Sequence, residues 1–347
     1  MSKPIRVGIL SFALYHGNFW SEAFRDSPDA ELVGVWDEDA ARGQAAAARF
    51  GVPFWPTAAA LLERCDAVGI CSATARHRAL IEQAAAAGRH VLCEKPLATT
   101  VEDCDRIAAA VAAAGITFMQ SFPKRFDPVN HELKRMLDAG ELGRLSMARV
   151  RHGHLYGLDA DFQQAWFVKP ELSGGGALID EGVHGADFIR WMFGEPESVM
   201  AMVSNATFGA AVEDAAIAVF RFRSGLLVEL APSWCFPAAD NSIEIYGTGG
   251  AAVLSGVDLG SRDVTESGFL KTYRVGQPDK RWQVSPLVPR FKTGGHHHQN
   301  ALQFIAALRD GTPPPVTLED GRRALVLIHA AYEAARTGRT VPVPPPS

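Results

Sequence analysis

The first third of the chain alternates short apolar runs with longer alanine-rich stretches of helical periodicity. The apolar runs fall at residues 5–10, 31–36, 67–71, 90–93 and 116–120, and the helical stretches at 40–50, 77–87 and 101–114. Strands without a polar face, each followed by a helix, predict a parallel sheet covered on both sides. Its crossovers should be right-handed, and its ligand should lie at the carboxyl ends of the strands. After about residue 122 the rhythm changes. A helix is expected at 129–138 and a strand at 145–152, and Ser173-Gly174-Gly175-Gly176 leads into a helix at 177–192. Strand-like runs follow at 198–207, 214–223, 226–233 and 242–246, with Ser224-Gly225 as a tight hairpin turn between two of them. Successive strands joined by short turns predict an antiparallel sheet. Helices near 300–309 and 319–337 close the chain, and the Pro-rich residues 342–347 should fray.

A chain of 347 residues has room for two cores, and the change of rhythm divides it at 122/123. Composition adds exclusions. With 47% hydrophobic residues, 21% charged residues and a net charge of -5, the chain reads as a soluble protein with no nucleic-acid or membrane partner. No apolar run approaches the roughly 20 residues of a membrane helix. The first residues run straight into a strand, without the features of a signal peptide. Five cysteines, an odd number with no Cys-x-x-Cys pair, read as reduced thiols, so a cytoplasmic location is expected.

The chemistry begins after the first strand. Ser11-Phe12-Ala13-Leu14-Tyr15-His16 stands where a dinucleotide fold carries G-x-G-x-x-G, and none of the three glycines is present. Ala13 is small enough to admit a pyrophosphate, and Gly17 supplies freedom one residue after His16. By itself this loop leaves open an α/β domain that binds no dinucleotide. The second strand ends in Trp36-Asp37, where a carboxylate would accept from ribose hydroxyls and repel a 2′-phosphate. No Arg follows at once, which favours NAD over NADP. Asp39 is placed to cap the next helix.

After the fourth strand the chain reads Ala87-Gly88-Arg89-His90-Val91-Leu92-Cys93-Glu94-Lys95-Pro96. This resembles the A-G-K-H-V-x-x-E-K-P signature of the Gfo/Idh/MocA (glucose–fructose oxidoreductase/inositol dehydrogenase) family. Ile70-Cys71-Ser72-Ala73-Thr74-Ala75-Arg76-His77 is similar to its I-x-T-P-N-x-x-H loop, and Arg125-Phe126-Asp127-Pro128 to its R-F-x-P. Gly140-x-Leu142-Gly143 and the run from Gly174 through Asp180 to His184 resemble its G-x-L-G and G-G-G-x-x-x-D-x-G-x-H. Phe304-x-x-Ala307-x-x-x-Gly311 and Gly338-Arg339 extend the resemblance over nearly the whole chain. The clear departure is the glycine-less first loop. The resemblance implies an α/β fold class: an N-terminal Rossmann-type NAD-binding domain, 1–122, and a C-terminal α+β domain, 123–347, with a large, mostly antiparallel open sheet for substrate binding and oligomerisation.

Oxidising a secondary alcohol needs a hydride acceptor and a base for the hydroxyl proton. At i and i+4, Asp180 and His184 would share one helix face. An imidazole exchanges a proton near neutral pH, and an ammonium such as that of Lys95 can stabilise an alkoxide. By resemblance Lys95, Asp180 and His184 form the catalytic set, and Pro96 follows a cis bond. Cofactor contacts are assigned to Ser11, Phe12, Ala13, His16, Asp37, Ser72, Ala73, His77, Glu94, Lys95 and Gln120. Substrate contacts are assigned to Lys95, Arg125, His154, Tyr156, Trp166, Asp180, His184 and His297. The rings of His152, His154, Tyr156, Trp166 and Phe167 suit a sugar face and suit a core equally well. The run His296-His297-His298 invites a metal, but consecutive helical residues point apart, so no metal is assigned.

The expected activity is hydride transfer to or from a secondary alcohol of a sugar, cyclitol or related polyol, with NAD as cofactor. Two alternatives stay open: NAD-dependent, redox-assisted glycoside cleavage, and a non-catalytic NAD- or sugar-binding protein. An open sheet face suggests a homodimer or homotetramer.

Overall fold

The computed structural model describes residues 3–237, 241–256, 268–290 and 295–346. The chain forms two compact units: Met1–Pro123 with Gly294–Arg322, and Lys124–Thr293 with Arg323–Ser347. The first runs β1 (Ile5–Leu10), α1 (His16–Asp26), β2 (Ala30–Trp36), α2 (Ala40–Phe50), α3 (Ala58–Leu62), β3 (Ala67–Ile70), α4 (His77–Ala86), β4 (His90–Cys93), α5 (Val101–Ala114) and β5 (Phe118–Gln120). Its five strands are parallel, in the order β2-β1-β3-β4-β5. Val7, Ile9, Val68, Ile70, Val91 and Leu92 are fully buried, as strands covered on both faces must be. Asp39 caps α2 by accepting from the amides of Ala41 and Arg42. Helix α1, for which the apolar pattern gave no range, buries Trp20, Ala23 and Phe24 at helical spacing.

The second unit continues with α6 (Pro128–Asp138), β6 (Leu145–Gly153), α7 (Pro170–Ser173), α8 (Ala177–Asp180), α9 (Gly182–Phe193), β7 (Ser198–Ser204), β8 (Ala215–Arg221), β9 (Leu227–Ser233), β10 (Ile243–Gly247), β11 (Gly250–Leu254), β12 (Leu270–Arg274) and β13 (Gln283–Val284). Then come α10 (Gly295–Asp310), α11 (Leu318–Thr337) and β14 (Val341–Pro342). The sheet order is β13-β12-β11-β10-β6-β9-β8-β7-β14, antiparallel except where β6 pairs parallel with β9. Gly225 turns the β8–β9 hairpin with a φ of 89°.

Three expectations are corrected. Residues 294–322 pack with the first unit although they follow the second in sequence. Helix α10 lies on α1, and Arg309 pairs with Asp29 at their ends. A division drawn by chain order cannot see such a return. Helix α10 also starts at Gly295 rather than near 300, so the histidine run lies inside it. Finally, the described part of the Pro-rich tail does not fray. Val341 and Pro342 pair with β7, and Arg323 donates to the carbonyls of Pro344 and Pro345. Among the described residues no helix is long and apolar enough to cross a membrane.

Candidate active site

Strand register builds the first half of the site. Leu10 is level with Trp36 and Ile70, Ile70 with Cys93, and Cys93 with Gln120. The residues that follow, Ser11, Asp37, Cys71, Glu94 and Ser121, therefore form one row at the carboxyl ends of the sheet. Ser11 is buried with a φ of 73°, the left-handed conformation for which a glycine is usual. It tolerates the turn and uses its hydroxyl to accept from the Ala13 amide at 3.2 Å. No side chain caps α1; the Gly17 and Asn18 amides of its first turn donate to the carbonyls of Leu14 and Tyr15.

Asp37 is buried and closely held. It accepts from the amides of Phe12 (2.7 Å) and Asp39 (2.8 Å) and from Arg42 at 2.8 and 2.6 Å. No Arg follows Asp37 at once in sequence, but one turn of α2 brings Arg42 back onto both Asp37 and Glu38. Glu38 Oε2 is buried without a hydrogen-bond partner among the described residues. In the sequence Glu38 counts only as added negative charge after Asp37; its unfilled acceptor emerges from the fold.

Glu94 is fully buried. Its Oε1 lies 3.0 Å from His16 Nδ1 and accepts from the Ser121 hydroxyl, while Oε2 accepts from the Lys95 amide. Burial raises the pKa of its carboxyl, but the charges and hydrogen bonds of His16 and Lys95 outweigh that and hold it below the usual range. Lys95 is buried and precedes Pro96 through a cis bond. The His77 ring lies between the carbonyls of Pro96 (2.8 Å) and Ser72 (3.1 Å), and burial lowers its pKa. It ties the Ser72-Ala73 loop to the Lys95-Pro96 turn. Gln120 donates to the Cys93 carbonyl and packs on Gly321, which makes it part of the sheet end's own structure. His297 of α10 comes to the His16 ring, centroid to centroid at 3.8 Å.

The second unit gathers a separate cluster. Gly176 allows α8 to start against β8; a Cβ there would sit 1.9 Å from the Glu213 carbonyl. Glu213 Oε1 accepts from the amides of Gly176 and Leu178 and from the Tyr332 hydroxyl. Burial raises the pKa of its carboxyl against those hydrogen bonds. Asp180 ends α8 and His184 lies in α9, with a break at Glu181, so the single helix expected from their spacing is two. The break frees Glu181 to reach His152 Nε2 (3.2 Å) and His154 Nε2 (3.4 Å) at the end of β6. Because His154 Nδ1 accepts from the Tyr156 amide, its proton sits on Nε2, toward Glu181. Asp180 Oδ2 accepts from the Trp234 indole at 2.9 Å, and the His184 ring stands 4.8 Å from His152.

Asp180, Glu181, His184, His152 and His154 are all buried. Tyr156 lies 4.7 Å from the His154 ring and Trp166 stacks on Phe167 at 4.0 Å. Arg125 is held in a two-pronged pair with Asp187, which directs it into the fold. Lys124, unremarked in sequence, has its amine pulled down to about 8 by burial, against the pull of Asp127 and Glu181.

Comparison with known proteins agrees across the chain. Residues 5–122 match the oxidoreductase family NAD-binding Rossmann fold, and residues 130–253 match the GFO/IDH/MocA C-terminal domain. The chain is 30% identical to the D-apiose dehydrogenase of Paraburkholderia graminis, over 98% of this chain and 89% of that protein. It is 27% identical to the myo-inositol 2-dehydrogenase of Thermotoga maritima, over 97% and 98%. The aldose–aldose oxidoreductase of Caulobacter crescentus, solved with glycerol, superposes with a TM-score of 0.82 at 25% identity, covering 98% of this chain and 100% of that one.

Proposed function

The chain belongs to the Gfo/Idh/MocA family of NAD-dependent oxidoreductases, and from that premise we propose that it moves a hydride to or from a secondary alcohol of a sugar, cyclitol or related polyol. The observation that carries this reading is the buried group of Asp180, Glu181, His184, His152 and His154 beside Tyr156 and Trp234. Such a group offers several hydroxyl partners and flat apolar faces, which is what a polyol presents in reverse.

The first unit's residues fit the dinucleotide. The Ser11-Phe12-Ala13 turn leads into the start of α1, whose positive dipole end suits a pyrophosphate, and the acids after β2, including the partnerless Glu38 Oε2, suit ribose hydroxyls. Ser72, Ala73, Glu94, Lys95 and Gln120 line the remaining strand ends, with His77 and His16 fixing them. Bound NAD supplies the hydride acceptor or donor at its nicotinamide ring. His184 takes the hydroxyl proton, Lys95 stabilises the developing alkoxide, and Asp180, steadied by Trp234, grips the hydroxyl or its neighbour.

The open face of the second sheet supports a homo-oligomer. Met147, Met200, Met202, Ile217, Val219 and Leu227 are exposed on one side, and pairing places Met147 beside Leu227, Met200 beside Val219 and Met202 beside Ile217. A second copy of this chain would cover that face. Cytoplasmic residence follows from the same reading, in keeping with five free thiols.

The deciding experiment follows NAD reduction over a panel of sugars and cyclitols. Reduction with a subset of polyols is expected. Cleavage of a glycoside without net NADH would replace the reading with redox-assisted cleavage, and calorimetry showing no NAD binding would end it.

A further inference from the structure

We propose that His16, Glu94 and His297 form a binding site for one divalent transition-metal ion. One ligand atom from each lies within 4.8 Å of the others. They come from three places that only folding unites: the first residue of α1, the residue after β4, and the first turn of α10. Two imidazoles with one carboxylate suit zinc, cobalt, nickel or iron(II), and not the all-oxygen preference of calcium or magnesium.

The surroundings hold these groups as a metal site requires. The Glu94 carboxylate is fixed through one oxygen by the Ser121 hydroxyl and through the other by the Lys95 amide. Outer contacts of this kind orient ligands. The His297 ring lies flat against Phe19, 5.3 Å away and inclined by 5°. Glu94 is fully buried and His297 nearly so, while the His16 side chain is 21% exposed, which leaves one side for entry and for a water ligand. Three protein ligands with an open position is the arrangement of accessible zinc sites.

The histidine run itself argues for selection. The three neighbouring histidines do not share one ion: His298 turns to Glu22 at 3.3 Å. The other ligands come instead from α1 and the end of β4. An ion here would clip α10 to α1 and to the end of β4, fastening the returning segment within the first unit.

The test uses full-length protein freed of metal and nucleotide, titrated with Co²⁺ and followed by visible absorption and calorimetry, with Zn²⁺ as competitor. One Co²⁺ per chain is expected, displaced by Zn²⁺. Outer-contact changes alone cost about 10–100-fold in affinity, so His16→Ala and His297→Ala should each cost about 100-fold or more, and Ser121→Ala about tenfold. His298→Ala should bind as wild type does. Circular dichroism of each variant checks that the fold persists. Absence of binding to the wild type overturns the site, as does binding that survives His16→Ala with His297→Ala. Equal loss in His298→Ala would move the ion elsewhere on α10 and overturn it as well. Because no cofactor or substrate is present, failure here leaves the dehydrogenase reading untouched.

Discussion

The two sheets of this protein solve the same problem differently. The five-stranded sheet buries both faces under its own helices, so its strands read as unbroken apolar runs and its carboxyl edge is what it leaves for a ligand. The nine-stranded sheet packs one face against α8 and α9 and leaves the other open. Along β8 the burial alternates strictly, with Ala216, Ala218 and Phe220 inside and Ile217 and Val219 outside. A sheet closed on both sides serves as a platform for a ligand. A sheet closed on one side has a surface to spare, and here that surface is apolar.

The largest effect expected concerns the proposed catalytic residues. Losing a positioned general base costs about 10²–10⁴ in rate, so His184→Ala and Lys95→Ala should each lower kcat by that order while NAD affinity changes little. Stopped-flow and steady-state kinetics on the double variant should show less than the product of the single losses. Near-wild-type turnover in both single variants would remove the catalytic set.

The next prediction separates the two faces of the second sheet. Leu230→Ala, on the covered face, should cost about 2–5 kcal/mol in urea unfolding. Ile217→Ala, on the open face, should stay within about 0.5 kcal/mol in a single chain. A comparable cost at Ile217, falling with dilution, would show a second copy packed there. Met202→Lys should then lower the mass seen by light scattering.

A smaller effect probes the edge of the first sheet. Arg42 is neutralised by Asp37 and Glu38. Asp37→Ala should weaken NAD and free Arg42 to hold a 2′-phosphate, moving the ratio of kcat/KM for NAD over NADP by about tenfold. An unchanged ratio would mean that Glu38 alone reads the ribose.

The smallest concerns pH. A carboxyl whose folded pKa is raised favours the fold while protonated, and that advantage is lost as pH climbs from the ordinary carboxylate range through the raised value. Glu213→Gln keeps an acceptor for Gly176, Leu178 and Tyr332, so its stability should fall less than wild type over that window. Parallel pH–stability curves would deny Glu213 this role.

Much of this was legible in the order of residues. The five parallel strands appear as apolar runs, and β5 is shorter than its run only because Ile116 and Thr117 precede the pairing with β4. Asp39 announced a cap and Ser224-Gly225 a turn. Residues Lys95, Asp180 and His184 stood out by motif, but the helix break between the last two did not, because the segment's spacing suits one helix as well as two. Strands β11 to β14 were missed since β11 and β12 have five residues each and the edge strands β13 and β14 two, too few to carry a clear period.

By itself, then, the sequence determined what depends on neighbours along the chain: strand and helix periods, caps, turns, and the motifs at strand ends. Tertiary structure decided whatever joins distant residues. It returned α10 to α1, placed Trp234 on Asp180, and brought His297 to His16 and Glu94. The physical reason is that periodicity reports which face of an element is buried but not what it is buried against. A buried charge or imidazole can take its partner from any element that packing delivers.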